Sequence, residues 1–137
     1  MIRTRRGPFF VLSAPISSLI NDITAGDSVT INGSAIVITL VSGTPTNAND
    51  VKIGATGTAT VANIMAFLLN PSKSNTTQVA ASAANQNLLS YAGFSSPANS
   101  TNIIPYSNNN DTDAPLTAFT ASTTITGGSW TSATLKV

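Results

Sequence analysis

Residues 27–41, "DSVTINGSAIVITLV", alternate apolar and polar side chains on either side of Asn32-Gly33. A period of two marks a half-buried strand, and Asn-Gly is the preferred pair for a two-residue type I′ turn because both positions need positive φ. The turn predicts a hairpin with Ile31 opposite Ser34 and Val29 opposite Ile36. Val29, Ile31, Ile36, Ile38 and Leu40 then share the core face. The other face carries Ser28, Thr30, Ala35, Thr39 and two valines, and partial cover is expected there too. "SGTPTNAN" (42–49) reads as a turn-rich loop, after which residues 50–53 resume as a strand. The period then changes. Val61, Ile64, Met65 and Leu68 fall at i, i+3, i+4 and i+7, which predicts a helix over about 60–70 with its apolar stripe against the hairpin. Thr58 or Thr60 is the expected N-cap, and Asn70-Pro71 ends the helix.

The second half is less regular. "QVAASAANQNLLSYAGF" (78–94) fits either a second helix or a hairpin turning at 85–87, with the hairpin favoured. Residues 95–115 read as a long polar loop in contact with neighbouring molecules through its apolar patch, Ile103-Ile104-Pro105-Tyr106. The end, "LTAFTASTTITGGSWTSATLKV", reads as a strand, a Gly127-Gly128 turn and a final strand. A plain two-residue turn would put Trp130 beside Ile125 but send Leu135 and Val137 to the other face, so a bulge or burial of both faces is expected. The fold class predicted is α+β, mainly β: an antiparallel sheet or sandwich of hairpins, one main packed helix (about 60–70) and a long N-terminal arm. Residues 1–25 form the arm and 26–137 a single β-rich domain.

Across the junction of the 50–53 strand and the helix runs "VKIGATGTATVANIMAFLLN" (51–70), whose Gly54-Ala-Thr-Gly57 could be a phosphate cradle or only a strand-to-helix corner. A dinucleotide fingerprint needs a third glycine and an acidic residue ~20 positions on for the ribose hydroxyl. Here Thr60 stands in the third position, and Asn75, Thr76, Thr77 and Gln78 stand where the acid should be. The corner is therefore expected to bind no nucleotide.

Composition narrows the chemistry. At 137 residues the chain is one domain. Charged residues are 8%, against ~25% in an average soluble domain, so the polar surface must come from 14 Asn, 17 Ser and 20 Thr. A surface of neutral hydroxyls and amides, with net charge +1, has little electrostatic reason to stay monomeric. Histidine, cysteine and glutamate are all absent; the carboxylate side chains are Asp22, Asp27, Asp50, Asp111 and Asp113. That removes the usual general base, the thiolate ligands and the imidazole ligand, and argues against catalysis. No catalytic residue, cofactor or metal is expected. Arg3, Arg5 and Arg6 hold half of the basic charge, and without a basic face interleaved with aromatics no nucleic-acid binding is expected. "RTRRGPFFVLSAPISSLI" superficially resembles a signal peptide, but Pro15 and three serines break its apolar run, no A-x-A site follows, and it is too short and polar to span a membrane.

Three weaker constellations remain. Asn109, Asp111 and Asp113 alternate as calcium ligands do, but lack the loop glycine and the closing Glu; local Asx turns account for them more simply. Asn32, Asn75, Asn99 and Asn110 each begin an N-x-S/T triplet, which a chain this rich in Ser and Thr produces by chance. Tyr91, Tyr106 and Trp130 could stack on sugar rings, although buried aromatics are the commoner case.

The phrases "GDSVTINGSAIVITL" (26–40) and "VKIGATGTATVANIMAFLLN" (51–70) resemble a module of tailed-bacteriophage structural proteins, in which a phrase like "GDTVTING" precedes "VxIGATAAATxANL". "TQVAASAANQNLLSYAG" (77–93) is similar to that module's later hairpin. About half the chain is covered; 1–25 and the residues from 95 onward have no counterpart. The resemblance implies a non-enzymatic virion protein, with a capsid decoration (cement) role favoured over a tail or fibre component or a receptor- or glycan-binding module. It implies other virion proteins as partners, the major capsid protein foremost, and a homo-oligomer, with a trimer favoured. The virion is then its location. In that setting the arm is expected to lie on a neighbouring subunit, with Phe9 and Phe10 in an apolar groove and Arg3, Arg5 and Arg6 facing carboxylates. The alternative is that residues 9–20 form an edge strand of their own domain.

Overall fold

The computed structural model describes residues 10–12, 23–31, 36–90, 92–96, 102–107, 121–125 and 128–130. Among these the chain is α+β. Its centre is a four-stranded mixed sheet in the order β4-β3-β2-β7, made of β2 (Ser28–Ile31), β3 (Ile36–Val41), β4 (Asp50–Lys52) and β7 (Ala121–Thr123). Helix α1 (Gly57–Leu69) contacts β4. Two separate two-stranded ladders, rather than the second sheet of a sandwich, account for the other described strands.

The central hairpin forms, but its register differs from the expected one. Ile31 lies opposite Ile36 and Val29 opposite Ile38, so four residues, not two, connect the strands. The observed register sets branched apolar residues against one another twice, whereas the tight-turn register would have set Ile31 against a serine. Cross-strand packing outweighs turn preference here. Because the slip is by two residues, the faces are unchanged: Val29, Ile31, Ile36, Ile38 and Leu40 are each at most 1% exposed. Each such side chain stabilises the fold by about 1.5–3 kcal/mol.

Strand β4 runs parallel to β3, with Leu40 opposite Val51, where only antiparallel pairing was expected. The loop before it is folded tightly enough to bring Asp50 back opposite Thr39, midway along β3. Asn47 N–H donates to Asp50 Oδ2 at 2.8 Å and Thr46 N–H to the same oxygen at 3.1 Å. Asn49 takes φ 67°, a left-handed conformation that asparagine tolerates better than most residues. The outer edge of β4 is occupied by residues 77–79: Lys52 N–H donates to Thr77 O and Val79 N–H to Asp50 O.

The main helix starts three residues before the expected position. Its N-cap is Thr56, whose hydroxyl accepts from Ala59 N–H at 3.1 Å, so neither Thr58 nor Thr60 is the cap. Val61, Ile64, Met65 and Leu68 are buried as the stripe predicted, and Phe67 joins them at 0% exposure. Asn63 Nδ2 donates to Lys52 O, tying α1 to β4.

The segment favoured as a hairpin at 78–94 is instead a helix, α2 (Ala83–Leu89), leading into β5 (Ala92–Ser95). Residues 85–87 lie within α2 rather than in a turn. Ser82 caps it by accepting from Asn85 N–H, Gln86 Nε2 donates to Ala81 O, and Leu89 is buried while the flanking polar residues face outward. Strand β5 pairs antiparallel with β6 (Ile104–Ser107), so the segment read as a long polar loop contains a strand. Among the described residues, no strands pair across Gly127-Gly128 as the expected hairpin would. Strand β7 pairs with β2, while β8 (Gly128–Trp130) pairs with β1 (Phe10–Leu12), and Trp130 stands opposite Phe10 rather than beside Ile125. Residues 10–12 thus pair within the chain, and the long N-terminal arm expected over residues 1–25 is not shown among the described residues.

Candidate functional site

The strand-to-helix corner at 54–60 is the motif with the strongest claim to chemistry, and the N–H groups of Gly54, Ala59 and Thr60 are bonded within the corner itself. Gly54 N–H donates to Thr60 Oγ1 at 2.9 Å, and that hydroxyl donates to Thr56 O at 3.0 Å. Ala59 N–H goes to the Thr56 side chain and Thr60 N–H to Thr56 O. Thr60, the residue that replaces the fingerprint's third glycine, is fully buried and laces the corner together. Gly54 is required for a different reason than phosphate approach. A Cβ there would lie 2.6 Å from Ala59 Cβ and 2.7 Å from Ala59 C, closer than real contacts allow. The glycine lets β4 run directly under the first turn of α1.

Two further polar residues are buried, and both close loops. Asp50 accepts from Thr46, Asn47 and the Asn47 side chain, which leaves its Oδ2 fully engaged. Gln78, 1% exposed, donates through Nε2 to Asn70 O and Lys73 O, each at 2.9 Å, so one amide pins both sides of the loop after α1. Asn75 Oδ1 accepts from Thr77 N–H, Thr77 Oγ1 and Gln78 N–H within the same loop. Residues 72–76 are exposed on this closed frame. Sequence reasoning passed over Gln78; the available signal was an amide following a run of Ser, Thr and Asn just beyond a helix end.

The residues singled out for partner binding are placed as follows. Phe10 is in β1, and Arg3, Arg5, Arg6 and Phe9 lie outside the described residues. Ile103, expected in the inter-subunit patch, is a core residue at 0% exposure in the single chain. An isoleucine beside the β5–β6 ladder fills the interior, and polar neighbours in sequence did not make it a surface residue. Ile104, Pro105 and Tyr106 lie in β6. Asn109, Asp111 and Asp113 are outside the described residues, as is Tyr91. Among the described residues no group of three or more metal-ligating side chains gathers, and no helix is long and apolar enough to cross a membrane. No protein-family model, curated protein or solved structure matches the chain.

Proposed function

We propose that this chain is a non-enzymatic structural component of a bacteriophage virion, with capsid decoration as its role. One observation carries the reading: the two phrases that resemble the phage module are joined in space as one unit. Residues 26–40 and 51–70 form β2, β3, β4 and α1, which meet through Gly26 N–H to Leu40 O, Ile53 N–H to Val41 O, and a shared core. The outer surface of that unit suits assembly. The thirteen residues of α1 include no charged side chain, and Ala62, Ala66 and Leu69 face outward from it, Leu69 at 58% exposure. Burying neutral surface against a neighbour carries little desolvation cost. The partners are further copies of the chain, a trimer being favoured, and the major capsid protein.

Quantitative gel electrophoresis of purified particles that carry this gene product tests the reading. Hundreds of copies per particle place it on the capsid. A dozen or fewer favour a tail, fibre or receptor-binding role, and its absence from particles overturns the virion assignment.

A further inference from the structure

We draw no further inference here: the strongest candidate, the neutral outward face of α1 at Ala62, Ala66 and Leu69, carries nothing further because nothing among the described residues shows what covers it.

Discussion

Gln78 makes the two hydrogen bonds that hold the loop after α1 against the helix end, from a position that water scarcely reaches. Gln78→Leu keeps comparable volume but leaves the carbonyls of Asn70 and Lys73 without that donor. An abandoned buried acceptor costs about 1–3 kcal/mol, so urea denaturation of the variant is expected to show a loss of roughly 2–3 kcal/mol; a loss below about 0.5 kcal/mol would mean the loop stands without it. Glycines make a sharper comparison. Gly54→Ala meets backbone atoms of Ala59 and Thr60 under 3 Å away, and forcing volume into such a contact costs about 1–3 kcal/mol. Ala59→Gly would not rescue it, because Ala59 C and Thr60 N remain in the way. Gly26→Ala meets nothing within 4 Å but sits at φ +98°, so its cost is conformational. That cost is on the order of 1 kcal/mol, and it should be insensitive to changes at position 59. Thermal melts of the two glycine variants, each with and without Ala59→Gly, test both mechanisms.

At the scale of elements, the start of α1 is the testable detail. Thr56→Ala removes the cap and is expected to destabilise by about 1 kcal/mol. Thr58→Ala should be near neutral, since the Thr58 hydroxyl is buried without a hydrogen-bond partner among the described residues. Equal losses from the two, measured by denaturant unfolding, would contradict the capping geometry. Three threonines at 56, 58 and 60 look alike in sequence; which one caps depends on how closely Gly54 passes beneath the helix, a tertiary fact. The core faces of β2 and β3 were legible because a two-residue slip preserves alternation, even though the turn preference at Asn32-Gly33 misdirected the register. The apolar stripe of α1 was legible for a similar reason, since a 3.6-residue period does not depend on the exact ends. Helix α2 was not, because "AANQNLL" buries so little of itself that its period does not separate helix from hairpin. A cap at Ser82 and the burial of Leu89 decide it. The parallel course of β4 was also hidden, because it depends on the carboxylate of Asp50 folding the preceding loop.

For the whole molecule, the low charge and the neutral helix face predict self-association. Multi-angle light scattering of the purified chain is expected to give the mass of a closed oligomer, a trimer under the favoured reading. A monomer at high concentration would remove that support for a lattice role. Long-range pairing was the least legible part of the fold: nothing local in "FFVL" or "GSW" announces that each is the other's partner. The polar corner at 54–60 was legible as a turn from the missing third glycine. Its lacing by Thr60 was not, since it joins residues that the helix start brings together.

Those distant pairings also set a timetable for a chain made on a ribosome. Strand β2 has β3 beside it almost at once, whereas β7 is more than eighty residues away and β8 emerges more than a hundred residues after β1. At about 5–20 residues per second, the apolar N-terminal strand waits on the order of ten seconds before its own partner exists. The order of synthesis therefore leaves β1 without its strand partner until almost the whole chain has been made.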